Sequence, residues 1–277
     1  MENINNNITV IIPIHKYDED VKKYFTNALD SVYEQIEFPF KINIVAPKNV
    51  IDKIKIDFKG RINLVAFIIN DGEIDYCSQV NLGVKNCSTK YFSVLAFDDS
   101  YNKNWFKNFK KYSEYLPEYS IYLPIVNLKK EGKDVGKFNE IIWAMSFSNE
   151  LGVIDEDILQ SYYDFSTCGG VFRTDDFIEV GMLKPSIKLT FWYEFLLRAV
   201  SKGIKIYVIP KNGYFQNLDR TDSILADFEK TMDTKERSWW IKLATKEHYY
   251  TNERKKSYTY VEEKTKSKEL SEIEGLK

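Results

Sequence analysis

Two adjacent carboxylates, Asp98 and Asp99, follow an almost wholly apolar stretch of the sequence. The stretch, Tyr91–Phe97, is rich in Phe, Val and Leu and predicts a strand buried on both faces, as at the centre of a parallel sheet. Open α/β sheets bind their ligands at the carboxyl ends of the strands, where these carboxylates stand. Such oxygen ligands suit Mg2+ or Mn2+, and the ion can in turn hold a diphosphate. The pair alone is equally compatible with opening a turn or capping a helix that begins near Asn104.

Other common chemical sites lack the residues that they need. The sequence contains only two histidines, His15 and His248, which excludes a histidine-rich zinc site. Its three cysteines show no metal-binding or redox spacing and fit a reducing compartment. A glycine-rich dinucleotide motif, a phosphate-loop motif and a Gly-x-Ser-x-Gly nucleophile elbow are also missing from the sequence.

The composition predicts a globular protein with a large core. The chain has 277 residues, of which 44% are hydrophobic and 15% aromatic, enough for one large α/β domain. A formal net charge of -2 argues against nucleic-acid binding through a broad positively charged surface. Met1–Asn7 lacks the basic and apolar regions of a signal peptide, and no apolar run approaches the length of a membrane span. The expected location is therefore cytoplasmic.

Strands alternate with helices along most of the chain, which predicts right-handed crossovers and a mostly parallel sheet. The fold class is therefore α/β. Cys77 and Cys87 are expected on the core face of one helix, and the turn-like composition of Lys129–Gly136 predicts an exposed loop. The predicted strands are 10–14, 42–46, 62–69, 91–97, 121–126 and 204–209.

These segments, taken in order, resemble the large family of inverting glycosyltransferases called family two, which have the GT-A fold. The resemblance covers residues 8 to 220, and it is the order and spacing of the segments that are specific, not any one motif. The matching segments are the opening strand Val10–His15, the first-helix segment Leu29–Gln35, the motifs Asn70-x-Gly72 and Gln79-x-Asn81-x-Gly83, the metal strand Phe92–Asp99, the late acidic helix Glu194–Arg198, and Gly203 with Ile204–Ile206.

The resemblance implies a fold, a reaction and a set of ligands. It implies a GT-A (nucleotide-diphospho-sugar transferase) domain over residues 1–220, with helices flanking a mostly parallel central sheet; residues 221–277 would be a helical extension with a charged tail. It implies transfer of a sugar from a nucleotide-sugar donor to a hydroxyl acceptor, a glycan, a protein or a modified nucleobase, with inversion. An Mn2+ or Mg2+ ion on Asp98 and Asp99 would neutralise the leaving diphosphate. The implied donor-binding residues are Pro13, His15, Asp71, Asn81, Asp98 and Arg220, although Arg220 is also compatible with an ordinary surface arginine.

The sequence departs from the family pattern at three places. Ala96 stands where the family has the first Asp of its metal motif, and Ala46–Lys48 replaces an acidic residue that helps to bind the base. Phe191–Trp192 replaces the Glu-Asp pair that includes the catalytic base. Glu194 is the nearest carboxylate and becomes the candidate base, although its spacing from Arg198 is also that of an ordinary helical ion pair.

Several alternatives remain open from the sequence. Asp164 and Asp176 are weaker candidates for the base, and Gly169–Gly170 with Trp143 could form the acceptor side, although Trp143 is equally compatible with plain core. The chain could be a catalytically degenerate GT-A protein that only binds its ligand. It could also transfer a sugar to a hydroxylated base in phage DNA. A nucleotidyltransferase is disfavoured, because no glycine-rich loop follows the first strand.

Overall fold

The computed structural model describes residues 7–37, 41–62, 64–148, 150–220 and 223–251. Within these residues, ten strands form one sheet. The strands are β1 (Ile8–Pro13), β2 (Lys41–Ala46), β3 (Val65–Ile69), β4 (Tyr91–Val94), β5 (Ser100–Tyr101), β6 (Ile121–Lys130), β7 (Lys133–Phe138), β8 (Val153–Ile154), β9 (Val171–Arg173) and β10 (Ile206–Asn217).

Helices cover both faces of the sheet. Several begin at an Asp or Ser that caps the first turn; the Asp18 carboxylate, for example, accepts a hydrogen bond of 2.9 Å from the Val21 amide. The helices are α1 (Glu19–Tyr33), α2 (Lys48–Asp57), α3 (Tyr76–Lys85), α4 (Trp105–Tyr115), α5 (Glu156–Ser161), α6 (Thr174–Val180), α7 (Phe191–Ser201), α8 (Ile224–Thr231), α9 (Thr234–Thr251) and a 3-10 turn at Glu140–Trp143.

The sheet is parallel in its first half and mixed in its second. Its strand order is β3-β2-β1-β4-β9-β6-β10-β5, with β7 beside β6 and β8 beside β10. The pairs β3-β2, β2-β1, β1-β4 and β6-β10 are parallel, whereas β9 runs antiparallel to both β4 and β6. The α/β class is confirmed, and β9 is the reason that the sheet is less parallel than the sequence predicted.

Alternate residues of β1 enter two different cores, as the two-residue period of a strand requires. Val10 and Ile12 pack in a cluster with α1, α2 and α4, whereas Ile11 packs in a second cluster with α3, α6 and α7. Gly83 permits the closest approach on the second side, because a Cβ atom there would lie 2.6 Å from the Ile11 side chain. The central strands are thus buried on both faces, and only their ends are free to form a site.

The structure corrects three local predictions. Lys129–Gly136 is not a loop: β6 continues to Lys130 and pairs with β7 in a hairpin whose turn, Glu131–Gly132, has positive φ at both residues. Cys87 lies beyond the end of α3 and is half-buried. Of the two cysteines, therefore, only Cys77 lies on the core face of that helix. The apolar strand predicted over residues 91–97 also ends earlier than predicted, at Val94.

The chain after residue 220 packs against the main body as far as the structure describes it. The Thr190 hydroxyl donates a hydrogen bond of 3.0 Å to the Trp240 carbonyl, and Ala244 of α9 is buried in the same core cluster as α7. Most of the predicted charged tail, from residue 252 onward, lies outside the described residues. None of the helices in the described residues has both the length and the apolar character that crossing a membrane would require.

Candidate functional site

A cleft of about 1040 Å³ opens at the carboxyl ends of β1 and β4. Its walls come from the start of α3, from the turn after β4, from the loop leading into α7, and from the end of β10 with α8 and the start of α9. This is the position at which an open α/β sheet binds its ligands. Five carboxylates line the cleft: Asp75, Asp98, Asp99, Asp227 and Glu236.

Asp98 lies in the cleft and is paired with Arg220. Its Oδ2 atom is 3.0 Å from the Arg220 Nη1 atom, and the two side chains are only 10% and 6% exposed. The guanidinium group also lies over the Phe97 ring, 4.5 Å from its centroid. The structure therefore brings together two predicted residues that are 122 positions apart in sequence, with opposite charges facing each other at the ligand side of the sheet.

Asp99 also lines the cleft, but both of its carboxylate oxygens accept hydrogen bonds from β10. Its Oδ2 accepts from the Tyr214 hydroxyl at 2.9 Å, and its Oδ1 accepts from the Asn217 amide at 2.8 Å. Burial and the neighbouring Asp98 charge raise the pKa of Asp99 well above its ordinary value. Both oxygens thus hold the β10 strand in place, and Asp99 does not present the open carboxylate that the sequence predicted for a metal ion.

Tyr214 supports two residues that line the cleft, Ala96 and Asp99. Besides binding Asp99, its hydroxyl oxygen accepts a hydrogen bond of 3.2 Å from the Ala96 amide. Gly169 packs directly on the Tyr214 ring, and a Cβ atom at that glycine would lie 2.4 Å from the ring. The adjacent Cys168 thiol lines the cleft, and burial together with the Asp99 charge raises its pKa to about 12. The thiol is therefore neutral near pH 7.

Pro13 and His15 line the cleft as the sequence predicted. They lie at the end of β1, and the His15 ring is 5.9 Å from the Phe97 ring. Gln79, from the motif at the start of α3, also lines the cleft. Its amide nitrogen donates to the Ile14 and Val45 carbonyls at 3.1 and 3.3 Å, which ties the ends of β1 and β2 to α3.

Asp71 and Asn81 do not reach the cleft, which corrects their predicted role in donor binding. Asp71 is exposed in the loop before α3 and is not among the residues that line the cleft. The Asn81 side chain makes a reciprocal pair of hydrogen bonds with the Leu183 backbone, at 2.8 and 3.0 Å. The Asn81 position of the motif therefore joins α3 to the loop after α6, and its role is structural.

Glu194 is not placed to act as a base, which corrects the prediction for that residue. Its side chain is 0% exposed and lies outside the lining of the cleft. Both carboxylate oxygens accept hydrogen bonds of 2.8 Å from Arg198, and Lys184 lies 3.1 Å away. Arg198 donates in turn to the Val180 and Met182 carbonyls. The ion-pair alternative is correct, and the pair anchors the loop that forms one cleft wall.

The weaker candidates also lie away from the cleft. Asp164 is exposed, and Asp176 pairs with Arg173 at 3.5 Å. Neither carboxylate is among the residues that line the cleft. Trp143 packs edge-on against Tyr207, with 6.0 Å between the ring centroids. It packs against the hydrophobic core, which agrees with the alternative that it is a core residue.

Asp75 is the functional candidate that sequence reasoning missed. One of its oxygens caps α3 by accepting from the Ser78 amide at 2.9 Å. The other oxygen is buried and has no hydrogen-bond partner among the described residues. Asp75 lines the cleft, and the next residue, Tyr76, packs on Phe191 with 5.4 Å between the rings. From the sequence, Asp75 could be recognised only as a helix cap. Its position in the cleft depends on the approach of α3 to α7, which is a tertiary contact that the sequence does not reveal.

A divalent ion in this cleft would need oxygen ligands from a bound molecule in addition to those of the protein. Among the described residues, no group of three or more His, Cys, Asp or Glu side chains is placed to hold a metal. Both adjacent carboxylates line the cleft, but the two Asp99 oxygens are engaged by Tyr214 and Asn217, which leaves Asp98 as the better ligand for an ion. Mg2+ and Mn2+ sites that also bind phosphate commonly use one or two carboxylates and complete their shell with phosphate oxygens and water. Asp98 therefore fits an ion that arrives with a diphosphate.

Comparison with known proteins identifies the fold. No protein-family model and no curated protein matches the sequence. The structure is similar to that of S. aureus TarS, a GT-A-type glycosyltransferase. Against TarS 1–349 in complex with UDP-GlcNAc the TM-score is 0.59 at 16% identity, over 90% of this chain and 74% of that chain.

Two further TarS structures give the same result. Against TarS 1–349 in complex with UDP, the TM-score is 0.57 at 17% identity, over 88% of this chain and 80% of that chain. Against the longer TarS chain the TM-score is 0.55 at 16% identity, over 89% of this chain and 44% of that chain. The chain therefore has the GT-A fold that the sequence predicted, and it spans less than half of the longer TarS chain.

Proposed function

We propose that this protein is a glycosyltransferase that takes a sugar from a nucleotide-sugar donor bound in the cleft and transfers it to a hydroxyl group. The observation that supports this most is the position of Asp98 and Arg220 beside Pro13 and His15, at the ligand edge of a GT-A sheet. TarS, which shares the fold, has been seen with UDP-GlcNAc and with UDP, which makes a nucleoside diphosphate the first ligand to test.

The charges in the cleft suit a diphosphate bound together with a cation. The five cleft carboxylates outnumber the basic side chains that line it, Lys130, Lys188 and Arg220. A diphosphate that entered alone would be repelled by this excess of negative charge. We propose that Asp98 holds Mn2+ or Mg2+, which when bound would neutralise the charge of the leaving diphosphate. Arg220 would bind the phosphate oxygens, for which a guanidinium group is well suited.

We propose Asp75 as the base that activates the acceptor. Asp75 lines the cleft next to the start of α7, where Phe191 and Trp192 replace the acidic pair of the glycosyltransferase family, and its second oxygen is buried without a hydrogen-bond partner among the described residues. A carboxylate there would take the proton of the acceptor hydroxyl as that oxygen attacks the sugar opposite to the departing diphosphate. Attack from that side inverts the configuration at the sugar carbon.

A donor-binding protein without transferase activity is the second candidate. The observation that favours it is the loss of the acidic pair at Phe191–Trp192, combined with the burial of Glu194 in its ion pair with Arg198. The two candidates share the ligand and differ only in turnover. They are therefore separated by measuring binding and sugar release on the same preparation.

The first experiment is calorimetric titration of UDP, GDP, CDP and dTDP sugars in the presence of Mn2+. We expect one donor to bind, and Asp98→Asn to weaken that binding at least tenfold by removing the carboxylate that holds the ion. Asp71→Asn is the matched control, because Asp71 lies outside the cleft and should leave the affinity unchanged. Failure of every donor to bind would contradict both candidates.

The second experiment tests the role of Asp75. For the donor that binds, release of nucleotide should be measured with water as the acceptor. Asp75→Asn is expected to slow this release by roughly 100-fold or more, the usual contribution of a general base, while donor affinity stays within a few fold. Equal rates in the variant and the wild type would exclude Asp75 as the base. No release by the wild-type protein would favour the binding-protein candidate.

A further inference from the structure

The ion pair between Asp98 and Arg220 joins the two groups that the proposed donor complex needs separately. Asp98 would hold the divalent ion, and Arg220 would hold the diphosphate. In the structure they hold each other at 3.0 Å, with 10% and 6% of their side chains exposed. Breaking such a sheltered pair by occupying only one partner leaves the other charge poorly solvated.

A divalent ion that binds alone meets two obstacles at this pair. It must draw Asp98 away from the guanidinium group, and it must then tolerate the positive charge of Arg220 close by. Arg220 has little room to retreat, because its guanidinium group lies on the Phe97 ring and its side chain is nearly buried. We therefore expect the affinity for the ion alone to be weak.

A diphosphate that binds alone meets the opposite obstacle. It must draw Arg220 away from Asp98, and the released carboxylate then repels the phosphate oxygens. Asp99 is a poor substitute for Asp98 in holding the ion, since its oxygens are engaged by Tyr214 and Asn217 and the residue is buried. When the ion and the diphosphate arrive together, Asp98 binds the ion, Arg220 binds the phosphate, and both charges are again paired.

We infer that the Asp98–Arg220 ion pair couples the two ligands, so that the ion and the nucleoside diphosphate bind as one unit by exchanging the partners of this pair. The inference rests on the proposed function, because it concerns the same donor site. Coupling of this kind is reciprocal: the ion raises the affinity for the nucleotide by the same factor as the nucleotide raises the affinity for the ion. Arg220 is the residue that enforces it, by withholding Asp98 from an ion that arrives alone.

The test uses calorimetry on the wild-type protein and on Arg220→Gln. The titrants are Mn2+ alone, UDP in EDTA and UDP at saturating Mn2+, with GDP, CDP or dTDP in place of UDP where the donor panel selects that base. For the wild type we expect Mn2+ to strengthen nucleotide binding at least tenfold. For Arg220→Gln we expect Mn2+ alone to bind at least fivefold tighter than to the wild type, because Asp98 loses its ion pair with Arg220. Nucleotide with Mn2+ should bind more weakly, because the guanidinium group is lost.

Two further variants serve as controls, one that keeps the positive charge at position 220 and one that removes an arginine elsewhere. Arg220→Lys retains the positive charge and should lie between the wild type and Arg220→Gln in its affinity for Mn2+ alone. Arg61→Gln removes an arginine that pairs with Asp30 on the surface, away from the cleft, and should match the wild type in every titration. Since these readouts are affinities, they do not depend on an acceptor.

The inference is overturned if Arg220→Gln binds Mn2+ alone no tighter than the wild type does, or binds the nucleotide with Mn2+ as tightly. A wild-type protein that binds no nucleoside diphosphate under any condition would contradict the proposed function instead. In that case the titration with Mn2+ alone still decides whether Arg220 withholds Asp98, so the two failures are distinguishable.

Discussion

At the scale of single residues, neighbouring carboxylates in this protein have different roles because they have different partners. Asp98 faces the cleft and an arginine, whereas Asp99, one position later, holds β10 through Tyr214 and Asn217. Glu194 has the right residue type for a base but both of its oxygens are bound by Arg198. The chemistry available to a carboxylate therefore depends on which oxygens remain free, and spacing in the sequence does not reveal that.

Replacing Glu194 should affect stability rather than chemistry. Glu194→Gln leaves Arg198, which is 3% exposed, without its counter-charge. Removing one partner of a buried pair costs about 3–5 kcal/mol, so we expect the free energy of unfolding in urea to fall by that amount. The remaining folded protein should bind donor normally.

The matched control is an exposed ion pair of the same kind. Glu140 lies 3.3 Å from Lys137 on the surface, and Glu140→Gln should change the free energy of unfolding by less than about 1 kcal/mol. The opposite pattern, a Glu194→Gln protein of wild-type stability that has lost sugar release, would restore Glu194 as the base and contradict the role proposed for Asp75.

At the scale of elements, the contact between the Cys168–Gly170 turn and β10 supports Tyr214, which is hydrogen-bonded to the cleft residues Ala96 and Asp99. Gly169 has φ of +69° and packs on the Tyr214 ring, so Gly169→Ala introduces both an unfavourable backbone conformation and a steric overlap at 2.4 Å. We expect a loss of roughly 3 kcal/mol in the free energy of unfolding. Donor binding should also weaken, because Tyr214 holds Asp99 and the Ala96 amide.

The control variant Gly132→Ala separates the backbone effect of adding a Cβ atom from the effect of steric overlap. Gly132 has a similar φ of +73° in the β6–β7 hairpin turn, but an added Cβ atom would meet nothing within 4 Å. Gly132→Ala should therefore cost only the backbone term, roughly 1 kcal/mol, and leave donor binding unchanged. Equal losses for the two glycine variants would show that the Tyr214 contact does not matter.

The elements that the sequence predicted well are those whose pattern reflects their own burial. The sequence predicts β1, β2 and β4 from their continuous apolar runs, and it predicts α1 from apolar residues that recur at helical spacing. Each of these patterns is local to its own element. The β7 strand, Lys-Asp-Val-Gly-Lys-Phe, was missed because its side chains are largely exposed and show no apolar alternation. It is a strand because the tight turn at Glu131–Gly132 returns it beside β6.

The site was predicted only in part, for a related reason. Pro13, His15, Asp98 and Arg220 follow the ends of strands, and the topology of an α/β sheet brings such ends together. Asn81 and Gly83, by contrast, match the family pattern through their packing against Leu183 and Ile11. Asp75 reaches the cleft through the approach of α3 to α7, which no local pattern encodes.

At the scale of the whole molecule, the GT-A sheet places residues from distant parts of the chain around one cleft. The first strand supplies Pro13 and His15, the turn after β4 supplies Asp98, and the end of the last strand supplies Arg220. Helix α8 follows directly and adds Asp227 to the same wall. With an ion on the Asp98 carboxylate and a nucleoside diphosphate between that ion and Arg220, the charges of Asp98, Arg220 and the diphosphate would all be paired with opposite charges.

The most direct test of this arrangement is a crystal structure of the protein with Mn2+ and the nucleoside diphosphate that binds in calorimetry. We predict an anomalous manganese peak within coordination distance of Asp98, the diphosphate between that ion and Arg220, and the nucleoside near Pro13 and His15. A nucleotide bound elsewhere, or a manganese ion away from Asp98 with the Asp98–Arg220 pair intact, would contradict the proposed donor site.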